Sequence, residues 1–505
     1  MTLPLGGLPP YRELVRSVDG LAGEVPLRWR VEPRFRYAAA PVRLGRRGPA
    51  AVVTAGGDAL AVRAWDAGDV EAADDAIEGR FVAREGRSAT LALSAARQEP
   101  LVLPARKDVE TRLEATSGSW RRWSDAREYD GPWREPVVRS ALALKLLVHA
   151  PSGAIAAAVT TSLPEEIGGE RNWDYRFSWP RDAAFTLEAL LALGCSPEAR
   201  AFFSWLLHAS QLTHPRIHVL YCLDGRVEAD ERELLLAGYR GSRPVRVGNG
   251  AAEQTQLDVY GEVLAAAATL AAFEGGLDHD AGKRLAGVAD FVCSAWAEPD
   301  AGIWETRSEP RHFTQSKMMC AVALRCAREL AEQGLLPAKR ADRWREEEGR
   351  IRAFVESRCY SEEKRSYVRS AGGEQLDASL LLAVLAGYDD PSSQRLRGTV
   401  DAVVAELARG PFVRRYVGED GVSGEDAAFL PCSFWLVDAL ARQGRLDAAA
   451  ALMDELVGLA NDVGLYAEEI APETGDFLGN FPQALTHLAL INAAVTLTNA
   501  EKAER

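Results

Sequence analysis

From residue 136 to residue 498, apolar residues return at helical spacing in twelve successive stretches. They are 136–149, 182–194, 197–210, 253–273, 281–298, 315–332, 338–358, 376–387, 393–408, 430–444, 446–460 and 482–498. Many are apolar on more than one face, which predicts burial among other helices rather than a place on a surface. Twelve such helices are too many for one simple bundle. An even number, joined by alternating short and long connections, fits six helical hairpins closed into a double ring. Such an (α/α)6 barrel leaves the inner helix ends facing one cavity. An open superhelix is the competing arrangement, and the absence of a fixed-period repeat weighs against it.

The first third of the chain is different. Residues 25–35 (VPLRWRVEPRF) alternate with a rough period of two, and 50–54, 59–63, 78–84 and 88–93 are also short and strand-like. Glycine and aspartate punctuate them. The expected organisation is a partial β-sandwich domain over 1–105, a linker over 106–133 and the barrel over 134–505, so the fold class is mainly α. Residues 152–161 read as a short strand or an extended crossing.

Composition mainly excludes. A net charge of -14 argues against nucleic acid as the principal partner and is silent about neutral sugars. The seven cysteines lie scattered in apolar helical contexts without a CxxC, which predicts reduced core thiols. The opening MTLPLGGLPPYRELVR lacks the features of a signal peptide, and no apolar run has the length of a membrane span. The expected location is therefore the cytoplasm, with no membrane partner; a homo-oligomer is compatible with the composition. No dinucleotide, P-loop, zinc-protease or nucleophile-elbow motif is present. His214 and His218 are four apart but Pro215 lies between them, so polar packing is expected there rather than a metal. No cofactor or metal is expected, and acid–base chemistry by carboxylates is the simplest option.

Chemistry-bearing residues collect in the polar loops that precede the helices. Residues 172–182 read NWDYRFSWPRD. Trp173, Tyr175 and Trp179 offer flat faces that suit the C–H faces of a sugar ring, and Arg181 and Asp182 offer a donor fork and an acceptor for its hydroxyls. Glu305 follows Trp304, whose apolar face favours a protonated carboxyl, the state a general acid needs; Arg307, Glu309 and Arg311 oppose this. A surface turn residue is the equal alternative. Glu468 and Glu469 form an adjacent pair beside Tyr466, either both solvated or one facing a cavity. Gln254, Gln256, Asp258, Glu374, Asp377, Glu425 and Asp426 sit in similar loops, where any one of them would also serve as a helix cap.

The segments ERNWDYRFSWPRDA, GYRGSRPVRVGNGAAEQTQLDVYG, GIWETRSEPRHFTQSK, LDASLL, GEDAAFLPCSFWLVDAL and LYAEEIAPETGDFLGNFPQALTHLALINA resemble glycoside hydrolase family 15, the glucoamylase and bacterial trehalase family. The resemblance spans about 170 to 495 and, more loosely, reaches back to about 11. It implies an inverting exo-hydrolase that acts on a non-reducing α-glucosyl unit of a small-molecule α-glucoside inside an (α/α)6 barrel. It places Glu305 as general acid and Glu468 as general base, the latter ionised in the free enzyme, with the two carboxyls roughly 6.5–9.5 Å apart. Tyr175, Trp179, Arg181 and Asp182 match the pattern around the terminal glucose; Trp304, Arg307 and Glu469 match positions touching the sugar less closely. Bacterial members open with a fuller β-sandwich than this sequence carries, so a bare sheet edge and a partly exposed apolar face are expected. The main expectation is glucoamylase-like trimming of soluble α-gluco-oligosaccharides. Hydrolysis of α,α-trehalose is the alternative, and a catalytically inactive sugar-binding module is the non-enzymatic one.

Overall fold

A computed structural model describes residues 1–3, 12–73, 75–418 and 427–504. The chain divides into two compact units, Met1–Ala126 and Arg127–Arg505.

The first unit holds two antiparallel sheets. Strands β1 (Arg12–Asp19), β3 (Arg43–Arg47), β4 (Ala50–Ala55), β5 (Asp58–Trp65) and β8 (Ser88–Arg97) form one sheet, in the order β1-β8-β5-β4-β3. Strands β2 (Glu24–Val31), β6 (Glu71–Ala73) and β7 (Ala76–Arg84) form the other, in the order β2-β7-β6. Val53, Val62 and Ile77 are buried between the sheets with Trp29 and Leu93 packed on them. The two edge strands β1 and β3 escape a reading by alternation because they are charged along their length, as exposed edges commonly are. The small sheet leaves Val25 and Val82 exposed.

Helix α1 (Arg106–Asp125) also belongs to this unit. A linker was expected over 106–133; most of that stretch is a regular helix. Its buried face is only Val109, Arg112 and Thr116, so no apolar stripe announces it. Arg112 replaces the missing hydrophobe. Its guanidinium donates to both carboxylate oxygens of Glu13 on β1, at 2.9 and 2.7 Å, and the Thr2 hydroxyl donates to the same carboxylate at 2.7 Å.

The second unit carries twelve α-helices among the described residues. They are α2 (Arg134–Leu147), α3 (Ala183–Ala192), α4 (Ser196–Ala209), α5 (Val259–Glu274), α6 (His279–Ala295), α7 (Thr314–Glu332), α8 (Ala341–Arg358), α9 (Leu382–Leu385), α10 (Gln394–Leu407), α11 (Leu430–Arg442), α12 (Leu446–Val457) and α13 (Ala484–Glu504). Each of the twelve periodic stretches holds one. Helices α3, α5, α7, α9, α11 and α13 pack each against the next, and α13 returns to α3 and α2, which closes the ring. The inner and outer helices differ as burial requires. In α11 every residue from Leu430 to Ala441 is buried, whereas α8 buries only Trp344, Glu348, Ile351 and Val355, one stripe at helical spacing. Gly261 lets α5 and α7 approach closely: a Cβ there would stand 2.4 Å from the Met319 carbonyl oxygen.

Residues 152–161 form the extended crossing. Ala157 and Ala158 donate backbone N–H groups to the carbonyls of Phe177 and Tyr175, at 2.8 and 2.9 Å, and Ala158 also pairs with Gln483. The crossing thereby ties the 172–182 loop to the start of α13. No helix among the described residues is long and apolar enough to cross a membrane. All seven cysteines are free.

Candidate active site

Pro180–Asp182 forms a tight turn that runs directly into α3, so the aromatic loop is held at the mouth of an inner helix. Asp174, fully buried, is spent on architecture: it accepts from Arg176 at 2.8 and 2.7 Å and from the Gly248 N–H at 3.0 Å. Tyr175 and Trp179 meet edge to face with centroids 5.4 Å apart. The Trp179 indole N–H donates to Glu305 Oε1 at 3.0 Å, and Arg181 Nη1 donates to the same oxygen at 2.9 Å and to the Ile303 carbonyl at 2.7 Å. Arg181 Nε reaches Asp182 Oδ1 at 3.2 Å. Burial raises the Asp182 carboxyl above its ordinary range, and Arg181 pulls it back. Burial disfavours the Arg181 charge, but Glu305, Asp182 and Asp258 together overcome this and hold it protonated.

Glu305 has a left-handed backbone, with φ of 50°. Such a conformation costs a non-glycine residue of order 1–3 kcal/mol and persists only where its surroundings impose it. The surroundings are visible. Gln254 Nε2 donates to the carbonyls of Glu305 and Thr306 at 3.2 and 3.3 Å, and Gln256 Nε2 lies 3.4 Å from Glu305 Oε1. The carboxyl therefore faces three donors rather than the bare indole face that sequence suggested. Trp304 instead directs its N–H to Asp377, at 2.9 and 3.0 Å, and packs against Phe429 and Trp435.

Glu468 sits just before a short strand, Glu469–Ile470, which pairs with Ala428–Phe429 and Phe477–Leu478. Alternation along the chain sends the two glutamates to opposite sides. Glu468 enters the cavity, and its Oε2 is buried without a hydrogen-bond partner among the described residues. Glu469 turns away, is completely buried and lies 2.7 Å from Arg415 Nη2. Glu469, expected to touch the sugar, thus lines neither of the cavities described below. Glycine is required at position 479, where φ is +72° and a Cβ would stand 2.6 Å from Glu468 Oε2. Burial, reinforced by Glu165, pushes the Glu468 carboxyl up to about 8, against the favourable charge of Arg415, the Tyr175 hydroxyl and the Asn480 N–H. Desolvation thus outweighs its donors and works against the ionised state expected of Glu468.

Tyr175, Trp179, Arg181, Asp182, Glu305 and Glu468 line one cavity together with Trp304 and Arg415. Carboxylates 163 positions apart thus share one space. A second cavity shares Tyr175, Trp304, Glu305 and Arg415 and adds Trp173 and Arg307. The guanidinium carbons of Arg246 and Arg307 each lie 4.6 Å from the Trp173 ring centroid. The other loop residues divide. Asp377 orients Trp304, Asp258 is buried behind Arg181 and raised by that burial to about 7, and Glu374 is exposed. Glu425 and Asp426 lie outside the described residues.

Sequence reasoning missed Arg415 and Glu165. Arg415 is buried, donates to Glu165 at 3.2 Å and stands 5.1 Å from the Phe429 ring centroid. One signal was available for Glu165: Glu165 and Glu166 are an adjacent pair, like Glu468 and Glu469. Arg415 carries no local signal, because it belongs to the loop after α10 and meets its partners only through the ring.

The family model for glycosyl hydrolases family 15 matches residues 131–495. The chain belongs to that family. Among curated relatives, this family 15 chain is 44% identical over 406 residues to a trehalase of Mycolicibacterium smegmatis, covering 78% of this chain and 60% of the relative. It is 38% identical over 390 residues to a trehalase of Thermoplasma acidophilum, covering 77% of this chain and 67% of the relative. The chain spans about three fifths of the length of the mycobacterial relatives it matches. The solved structure of a bacterial glucoamylase complexed with acarbose superposes with a TM-score of 0.67 at 14% identity, covering 90% of this chain and 75% of that one. That likeness is one of fold: a helical barrel with an N-terminal β-domain.

Proposed function

We propose that this family 15 chain hydrolyses α-glucosidic bonds with inversion, and that its substrate is α,α-trehalose rather than a malto-oligosaccharide. The observation that carries the substrate is the identity, 44% and 38%, to relatives named trehalases over more than three quarters of this chain. It favours the alternative over the glucoamylase-like expectation, because the glucoamylase likeness rests on fold at 14% identity.

Glu305 acts as general acid on the glycosidic oxygen. Trp179 and Arg181, both donating to Oε1, leave Oε2 as the oxygen to carry the proton. Glu468 acts as general base on a water at the opposite face of the ring, and its unpartnered Oε2 is the acceptor for that water. Arg415, the Tyr175 hydroxyl and the Asn480 N–H stabilise its anion once it ionises. Tyr175, Trp179, Arg181 and Asp182 hold the terminal glucose in the cavity that both carboxylates line, taken as the inner one, and the cavity around Trp173 and Arg307, taken as the outer one, receives the second sugar. Trp304 forms a wall common to both cavities.

The test is kcat/KM on trehalose against maltose and maltotriose, a ratio that measures differential transition-state binding. A ratio favouring maltotriose would return the enzyme to the glucoamylase-like reading; binding without turnover would leave a sugar-binding module. The stereochemistry is read by NMR on fresh product. Attack with inversion at one anomeric carbon of trehalose releases β-glucose from that ring and α-glucose from the other, which keeps its own C–O bond. Equal first-formed α- and β-glucose is expected, and α-glucose alone would mean retention and defeat the mechanism.

A further inference from the structure

The outer cavity has a wall with a second space behind it. Asn249–Gln254 contributes Asn249, Ala251 and Gln254 to the cavity around Trp173 and Arg307. The same stretch, through Gly250, Ala252 and Glu253 and with Glu231, also lines a larger cavity of mixed polar and apolar walls that reaches Arg216 and Tyr260, and Asn249 and Gln254 face both. The wall is tied at both ends. Asn249 donates to the Asp174 carbonyl at 3.2 Å and caps the Ala251 N–H at 3.0 Å, and Gln254 holds the Glu305–Thr306 backbone. Glu231 is the clasp between the two spaces. Its carboxylate accepts from Arg307 Nη2 at 3.0 and 2.9 Å, accepts from the Gly250 N–H at 3.1 Å and lies 3.5 Å from Arg246 Nε. Both arginines stand against Trp173, so one carboxylate anchors the wall, the rim and the aromatic face together. The short antiparallel pairing of Arg232–Leu234 with Val245–Val247 brings Glu231 beside Gly250 in space.

We infer that the Glu231–Arg307 clasp sets substrate length: it closes the outer cavity at two sugar units and seals off the mixed-walled cavity behind it, which is large and polar enough to accept a further hexose. The inference rests on the hydrolytic reading above and deepens it, since a closed second cavity suits a disaccharide. Nothing in it depends on which disaccharide is preferred.

The experiment compares the full chain with Glu231→Gln, Arg307→Met and the double variant on maltose, maltotriose and maltotetraose, beside trehalose. Either single variant should raise kcat/KM for maltotetraose relative to maltose by about tenfold, the scale on which a few steric contacts discriminate. The double variant should add little to either single one, because both open the same wall. Isothermal titration with maltose and maltotetraose gives the same comparison without turnover, so an inactive wild type still tests the clasp. An unchanged length ratio in variants that melt as cooperatively as wild type would overturn it, and so would fully additive effects. If Glu231→Gln fails to fold, Arg307→Met alone decides. A wild type that prefers maltose to trehalose would sink the trehalose reading while leaving the clasp standing.

Discussion

Glu305 and Glu468, the proposed acid and base, line one cavity in opposite surroundings. Glu305 is partly open and wired: Trp179, Arg181 and Gln256 all converge on its Oε1, and its strained backbone is held by Gln254. Glu468 is almost fully buried, shares its neighbourhood with Glu165 and keeps one oxygen unpartnered. On the proposed mechanism, the difference teaches how one site gives two roles to one residue type. Dense donors fix orientation, which a proton donor to a bound sugar needs. Burial with a vacant acceptor raises basicity, which a group that must deprotonate water needs.

The sharpest way to break this comparison is to neutralise each carboxylate. Glu305→Gln and Glu468→Gln should each lower kcat by about 10²–10⁴-fold, the usual contribution of a positioned acid or base. They should separate on α-glucosyl fluoride, whose leaving group needs no proton. Glu305→Gln should retain most of the wild-type rate on that substrate and Glu468→Gln should not; equal losses would undo the division of roles.

Gly479→Ala intrudes directly on Glu468. A methyl 2.6 Å from its Oε2, on a backbone at φ +72°, should displace the carboxyl and reduce kcat on the order of 10²-fold, as small misplacements of catalytic groups do. The KM should change much less. A normal kcat in a crystallographically intact variant would show that the vacant oxygen is not the working one.

Glu469→Gln should weaken stability more than chemistry. It removes the carboxylate 2.7 Å from the buried Arg415, and breaking one partner of a buried pair costs about 3–5 kcal/mol. Chemical denaturation should show that loss while kcat stays within roughly tenfold of wild type, below the ~10²-fold lower edge of a direct acid–base role. Loss of turnover with Glu468→Gln nearly intact would move the base by one residue.

The least localised effect expected is on pH, because several buried carboxyls contribute to it. As the proposed base, Glu468 must be ionised to act, and burial lifts it to about 8, so kcat/KM should rise with pH through that region. Stability should move the other way. Glu468 at about 8, and Asp258 and Glu188 at about 7, all lie above their ordinary values because of burial. Between the ordinary carboxylate range and these values the folded state binds more protons than the unfolded one. Their contribution is therefore fully present below about 4.5 and is lost as pH rises through 7 to 8. Urea midpoints should fall between pH 5 and 9, less steeply in Glu468→Gln; a flat profile would contradict the burial argument.

The sequence by itself determined the helices and their burial. Twelve apolar stretches of the right period, many apolar on more than one face, require helices packed on helices, because solvent cannot accept those faces; the family resemblance pointed to the ring, and the return of α13 to α3 and α2 closes it. It also determined which loops matter, since aromatic residues beside fixed charges in NWDYRFSWPRD and GIWETR are recognisable locally. Helix α1 stayed hidden because its buried face is an arginine whose partner, Glu13, is 99 positions away. What only the tertiary structure decided is the electrostatic state of each group. Arg415 has no local signature, yet it is the cation between Glu165 and Glu469. Trp304 adjoins Glu305 in sequence, yet the indole that donates to Glu305 is that of Trp179, 126 positions earlier. Residue type and period follow from local chemistry; desolvation and charge pairing depend on distance and burial, which exist only once the ring has closed.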